Sequence, residues 1–342
     1  MAQILENLYD DADEQSRVLE GWQQRYEQLG RGPFRGHAWQ WVTAHGALLR
    51  ETTNVHLREQ IVPPPQHLVL AVPLAVMPGS RFAGRPLQRE SLLVLGDADE
   101  HSLLTAGELE LIGLCVHRDM LNQLNDHKLE WLAHAQRQHN LDLSPDVAAA
   151  IRHSLLALSA QASVLTDSSP EEEAEMLELA LCQSVTLAMR DEQCASDMPR
   201  GSQARLQVVQ RTIAFMRAHM QQDIDVQQLC NAVGVSRRGL QYVFEEFLQT
   251  TPMAYWRALR LNEARRIIKA QSGCSITDLA YEWGFASASH FTQHYKNLFG
   301  ELPSQTLKAA AVRQGVAPAN RDATLHTTPP LAATPNRPVA CR

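Results

Sequence analysis

The chain has 342 residues, 44% apolar and 20% charged, enough to build a sizeable core and two domains, which excludes wholesale disorder. No apolar run reaches the roughly 18–20 residues of a bilayer span: the longest, 68–77, contains Pro73, and Met1-Ala2-Gln3-Ile4-Leu5-Glu6 lacks the basic start and apolar stretch of a signal peptide. The net charge of −7 divides unevenly, with 12 Lys/Arg against 8 Asp/Glu in residues 201–310 (+4) and 19 against 30 elsewhere (−11), a moderately basic module on an acidic body. Cys115, Cys182, Cys194, Cys230, Cys274 and Cys341 form no C-x-x-C pair. That speaks against a zinc ribbon or a disulfide framework and suits a reducing cytoplasm.

In chain order, Val18, Trp22, Tyr26 and Leu29 recur at helical spacing and predict an amphipathic helix over 14–29. Short apolar or alternating runs then follow at 37–43, 55–61, 68–74, 91–95 and 109–117. They are punctuated by Gly46, Pro63-Pro64-Pro65, Pro78-Gly79, Gly96 and Gly107, the pattern of a small antiparallel sheet or barrel. From Arg118 the pattern is helical. Ser144-Pro145 and Ser169-Pro170-Glu171-Glu172 open two helices, with serine as cap, proline in the first turn and acids at the positive end of the dipole. Leu177, Leu181, Val185 and Ala188 fall at near-heptad spacing, which suits a dimer helix or one packed on its own domain. The polar stretch 191–203 reads as an interdomain linker. Residues 311–342, with five prolines and no aromatic residue, read as a disordered tail.

Residues 204–308 contain an internal repeat. Leu229 and Gly234 recur as Leu279 and Gly284, and Leu240-Phe244-Leu248 recurs as Phe291-Tyr295-Phe299. Each unit reads as helix, tight turn, helix. Asp225 with Gln228, and Ser275 with Asp278, have capping-box spacing. Gly234 and Gly284 sit where a left-handed residue ends a helix, Val235 and Phe285 plug the corner, and Ser236 and Ser287 cap the second helix. The face opposite the apolar stripe holds Arg237, Arg238, Gln241 and Tyr242 in the first unit, and Ala288, Ser289, His290, Gln293 and His294 in the second. This is helix-turn-helix patterning, which presents polar side chains to base edges in the major groove. A single helix–glycine–helix with a solvated face is common; two matched copies are not. Between the units, 251–270 predicts a helix of roughly 28 Å. Its Arg257, Arg260, Arg265 and Arg266 are candidate phosphate contacts or plain solvated positions.

Residues 204–308 resemble the DNA-binding domain of the AraC/XylS family of bacterial transcription regulators. The matches are Ala254-Tyr255-Trp256-Arg257 with Arg260-Leu261-Asn262-Glu263-Ala264, then Ile276-Thr277-Asp278-Leu279-Ala280 with Trp283-Gly284-Phe285. Phe291, Tyr295-Lys296, Phe299-Gly300 and Pro303-Ser304 complete them. Cys230 replaces the usual alanine, and Ala288 stands at a usually polar position. Phosphate contacts are expected of Ser236, Arg237, Arg257, Arg265, Arg266, Thr292 and Lys296, and the resemblance implies base reading by Arg238, Gln241, Tyr242, Ser289, His290 and Gln293. It further implies an α+β sensing and dimerising half over 1–190 and an all-α double helix-turn-helix domain over 204–310. The implied partners are operator DNA, a small-molecule effector, RNA polymerase and a second copy, with no cofactor and no enzymatic step. The sign most common in the family is activation of a catabolic operon. The layout, with an N-terminal helix bearing Trp22-Gln23-Gln24, is similar to the ethanolamine-responsive branch.

The rival reading is a cupin-like metalloenzyme with an appended helical domain. His37, His45, His56, His67, His101 and His117 include no His-x-His pair on one strand, so hydrogen-bonded or surface histidines are the better account. His127, Glu130 and His134 share a helical face, which coincidence explains in a histidine-rich chain. No G-x-S-x-G, P-loop or Cys/His nucleophile pattern occurs. Arg85, Arg89 and the alternating Trp39 and Trp41 are candidates for lining a small-molecule pocket, although tryptophan is more often core.

Overall fold

The structure is a computed structural model, and it describes residues 2–96, 99–163, 168–191, 201–270 and 274–313. The N-terminal half contributes strands β1 (Gln3–Tyr9), β2 (Gln23–Gln28), β3 (Gly36–Val42), β4 (Gly46–Thr53), β5 (Leu57–Val62) and β6 (His67–Val76). The short β7 (Arg81–Phe82) and β8 (Arg85–Pro86), then β9 (Ser91–Leu95), β10 (His101–Thr105), β11 (Leu109–His117) and β12 (Asn140–Asp142) complete the set. Helices α1 (Ala12–Gln15), α2 (Asp126–Gln138), α3 (Pro145–Ala162) and α4 (Pro170–Met189) belong to the same half.

The strands form two antiparallel sheets, ordered β1-β3-β4-β11-β6-β9-β12 and β2-β5-β10-β7-β8, in place of a closed barrel. Strand β6 shows why its sequence is a continuous apolar run. Leu68, Leu70 and Val72 face a core closed by α2, α3 and α4, while Val69 and Ala71 face a core shared with Phe82 and Leu103 of the smaller sheet. A strand buried on both faces needs apolar side chains at every position. The order of layers is therefore helices, large sheet, small sheet.

The helix expected over 14–29 does not form. Three of its four apolar residues serve separate purposes. Tyr26 enters a small core with Phe34 and Leu57, Trp22 packs against the inter-sheet core, and Leu29 packs against both C-terminal cores. Gly21, with φ +79°, turns the chain out of α1 towards β2. Trp22-Gln23-Gln24 thus leads into a strand, and the layout that suggested the ethanolamine-responsive branch loses its N-terminal helix.

In α4 the capping box between Ser169 and Glu172 is formed. Leu177, Leu181, Val185 and Ala188 are buried in their own domain's core, so this stripe is not a free dimer seam. Trp39 and Trp41 likewise lie in that core rather than in a pocket.

Among the described residues the C-terminal half is all helical: α5 (Ser202–Ala218), α6 (Val226–Val233), α7 (Arg237–Leu248), α8 (Pro252–Ala270), α9 (Ile276–Glu282), α10 (Ala288–Phe299) and α11 (Pro303–Arg313). Helix α5 begins inside the stretch read as linker, and α11 extends into the stretch read as tail. Residues 192–200 and 314–342 lie outside the described residues, so neither expectation is decided there. The half has two small cores with α8 as their common wall. Tyr255, Trp256 and Leu259 serve the first with α5, α6 and α7; Ala258, Leu261, Ala264 and Ile268 serve the second with α9 and α10.

Candidate nucleic-acid interface

In the first unit, Asp225 accepts from the Gln228 backbone N–H at 2.8 Å, and the Gln228 carboxamide accepts from the Asp225 N–H at 2.8 Å. Gly234 then ends α6 at φ +72°, where its N–H donates to the Cys230 carbonyl at 2.9 Å. A side chain with a Cβ would be strained in that left-handed conformation. Ser236 caps α7 by accepting from the Gly239 N–H at 3.1 Å.

The second unit repeats the construction with weaker capping. Ser275 accepts from the Asp278 N–H at 3.3 Å, and Ser287 accepts from the His290 N–H at 3.2 Å. Gly284, at φ +68°, is doubly required, because a Cβ there would stand 2.6 Å from the Arg260 guanidinium.

The apolar stripes Leu240-Phe244-Leu248 and Phe291-Tyr295-Phe299 are buried in the two cores. On the opposite faces Ser236, Arg237, Arg238 and Tyr242 are exposed in the first unit, as are Ser289, His290, Gln293 and Lys296 in the second. Gln241 and Thr292 are half-buried, and the Gln241 amide donates to Glu245 at 2.6 Å. Arg257 is the exposed arginine of α8. It acts on the second unit's face: burial, then the charges of Arg257 and His290, hold His294 below the ordinary histidine range.

The other arginines of α8 are engaged elsewhere. Arg260 stacks on Trp256 at 4.5 Å and donates to the backbone carbonyls of Met220, at 3.1 Å, and Gln222. Arg265 pairs with Asp11 and Glu301, each at 2.7 Å, and lies over the Phe299 ring. Arg266 pairs with Asp13 at 2.8 Å and with Glu263, and donates to the Tyr26 carbonyl at 2.6 Å. The phosphate roles expected of Arg265 and Arg266 therefore compete with ion pairs that tie α8 to the N-terminal half and to Glu301, just before α11.

That junction is the feature sequence reading missed. Asn262 donates to the Gln28 carbonyl at 2.9 Å and accepts from the Gln28 N–H at 3.0 Å, and Arg25 pairs with Glu263. Glu27 is buried on β2. Its carboxylate takes Arg217 at 2.5 Å, Arg58 at 3.4 Å and the Tyr255 hydroxyl at 2.7 Å. Burial alone would raise its pKa, but Arg58, Arg217, Tyr255 and Arg25 together hold it below the ordinary carboxylate range. Asp11 is treated alike: burial is outweighed by Arg265 and Lys269, and its pKa falls to about 2. The motif residues Tyr255, Asn262 and Glu263 thus contact β2, a partnership that a single helix's sequence does not disclose.

Among the described residues no three His, Cys, Asp or Glu side chains converge as metal ligands, and no helix is long and apolar enough to cross a membrane. His127, Glu130 and His134 are all exposed on α2.

Comparison with known proteins agrees with this geometry. Residues 229–309 match a family described as a helix-turn-helix domain. The chain is 35% identical over 108 residues to a probable thc operon regulatory protein of Rhodococcus erythropolis, covering 31% of this chain and 32% of that one. It is 33% identical over 101 residues to an XylDLEGF operon transcriptional activator of Pseudomonas putida, covering 29% and 32%. A crystal structure of an AraC-type regulator from Chromobacterium violaceum aligns with 33% identity over 33% of this chain and 97% of that one, at a TM-score of 0.30. The chain thus spans about a third of the length of these two curated relatives.

Proposed function

This chain is an AraC family regulator by its C-terminal domain, and from that premise we propose that it is an effector-responsive activator of transcription working in the cytoplasm. In this reading residues 204–310 bind operator DNA with two heads, and residues 1–190 sense a small molecule and pair with a second copy. The regulator acts by binding, contacts RNA polymerase and catalyses no reaction. The observation that supports it most is the pair of matched units whose exposed polar helices, α7 and α10, are joined by the continuous α8. Base reading is assigned to Arg238, Gln241, Tyr242, Ser289, His290 and Gln293. Phosphate contacts are assigned to Ser236, Arg237, Arg257, Thr292 and Lys296. The activating sign rests on the relatives' names. The metalloenzyme alternative is not favoured.

The test is a gel-shift titration of the full chain on DNA upstream of its own and flanking genes at several salt concentrations, with a transcriptional reporter in parallel. Sequence-selective binding whose affinity falls steeply with salt is expected. Salt-insensitive or absent DNA binding would refute the reading.

A further inference from the structure

The two reading helices carry charge differently. Helix α7 opens with Arg237 and Arg238, both exposed, and a guanidinium stays charged at every working pH. Helix α10 has no arginine and no acidic residue, and its one lysine, Lys296, lies in the last turn. Its free side is built from His290, Gln293, His294 and Asn297, which fall within about 100° of one another on a helix of roughly 3.6 residues per turn. Phe291, Tyr295, Leu298 and Phe299 take the buried side. His290 and His294 are therefore the two groups of the free side that can become cationic.

The two rings stand one turn apart, with centroids at 6.4 Å and planes inclined at 68°. His290 is exposed and His294 half-buried, and the Phe285 ring, in the turn before α10, lies 6.4 Å from that of His294. Two charges act on His294, Arg257 from α8 and His290 from its own helix; the α9 acids Asp278 and Glu282 do not. Helix α11 meets α10 on the other side, where the Tyr295 and Thr306 hydroxyls bond at 2.9 Å and Arg265 pairs with Glu301 at 2.7 Å. Neither imidazole has an ion pair among the described residues. Burial first, then like charge, disfavours the proton on His294, which leaves the ring uncharged in the free chain at neutral pH. DNA supplies the missing counter-charge. Phosphate oxygens and base acceptors favour the protonated ring, which donates from both nitrogens where the neutral ring donates from one.

We propose that His294 joins His290 as a DNA-contacting residue, and that the pair makes the second head's grip proton-dependent while the first head's arginines ignore pH; this rests on the two-headed regulator reading. Operator binding then takes up protons. Affinity is flat at alkaline pH, rises as pH falls from the histidine range of the complex to that of the free chain, and levels off below it. Each unit by which DNA raises a histidine pKa gives up to about tenfold in affinity, and each added charge contributes about 0.9 to the salt slope. A two-box operator is accordingly held mainly by the first head at alkaline pH and by both heads in mild acid.

The experiment titrates the full chain by fluorescence anisotropy against a rhodamine-labelled duplex from upstream of its own gene, at several pH values and salt concentrations. Affinity is expected to rise about tenfold from about pH 8.5 to about pH 6, and the salt slope to steepen by about one to two. The His290→Gln/His294→Gln variant should lose both changes. His290→Gln alone, at an exposed position, should lose part of the rise and serves as the reporter if the double variant misfolds. Arg257→Gln removes the like charge beside His294 and should move the rise to higher pH, which a merely structural role for His294 would not produce. A flat profile in the wild type while DNA still binds, or a rise unchanged in the histidine variants, would overturn the proposal and leave the regulator standing. An unshifted rise in Arg257→Gln would remove His294 from it. Absence of DNA binding at every pH would refute the regulator and the proposal together.

Discussion

At the scale of single residues, the arginines of α7 and α8 show how one side chain type divides its labour. Arg238 is exposed on α7, so Arg238→Ala should relax base preference at one operator position, at a cost of about 1–3 kcal/mol measured by titrating base-substituted operators. A uniform loss with preference intact would contradict its role. Arg266 has a similar charge and helical setting, but its guanidinium is occupied by Asp13, Glu263 and the Tyr26 carbonyl. Arg266→Ala should leave the salt slope of DNA binding unchanged and loosen the domain junction instead. A positive charge on a helix looks the same in sequence whether it meets a phosphate or an acid more than 250 positions away, which is why the two could not be told apart beforehand. His101 makes a residue-scale prediction about acidity. Burial, then the neighbouring His139, depress its pKa to about 4 against the pull of Asp99 and the Gly96 carbonyl. An unfolded chain takes up that proton near 6.5. The contribution is therefore complete above about pH 6.5 and declines as pH falls towards 4, by up to about 3 kcal/mol. Melting curves from pH 8 to 4.5 should show that slope, and His101→Gln should flatten it.

Among the elements, legibility followed the side on which the information lay. Helices α6, α7, α9 and α10 were readable because caps, corner glycines and apolar stripes are all local. Strand β6 was readable because both of its faces are buried. Strand β2 was not. Gln23-Gln24-Arg25-Tyr26-Glu27-Gln28 is polar because Glu27 and Gln28 are satisfied by Tyr255 and Asn262 of α8, which lie far away in the chain. Helix α8 carries its own prediction. It runs from Pro252 to Ala270 without an internal glycine or a proline after Pro252, and both cores grip it, so it is a rigid spacer. One chain should read two short boxes about 10–10.5 base pairs apart. Inserting about 5 base pairs turns the second box to the far side of the duplex, and affinity should fall towards that of one box. Inserting about 10 should not restore it, because a fixed spacer cannot stretch by another 34 Å. Equal gel-shift affinity on all three DNAs would defeat the two-headed reading.

For the whole molecule, the decisive contact is the buried carboxylate of Glu27 under Arg58, Arg217 and Tyr255. Removing one partner of a buried ionic cluster leaves the others uncompensated and costs about 3–5 kcal/mol. Glu27→Ala should therefore split a single calorimetric transition into two, with the DNA-binding half melting separately. One transition with unchanged midpoint would show that the halves are not held there. The shared wall of the two C-terminal cores has a further consequence, for the order in which the chain takes shape during synthesis. When α8 has been made, α5, α6 and α7 are already available and the first core can close. The other face of α8, with Leu261, Ala264 and Ile268, is then fully covered only once α9 and α10 have followed, the last of them ending about 30 residues later, roughly 1.5–6 s at ordinary translation rates. For that interval a nascent chain exposes an apolar seam between a finished head and an unfinished one. A nascent chain arrested with α8 outside the ribosome and α9 and α10 still inside it should accordingly display a chaperone-binding segment that vanishes once Phe299 has emerged.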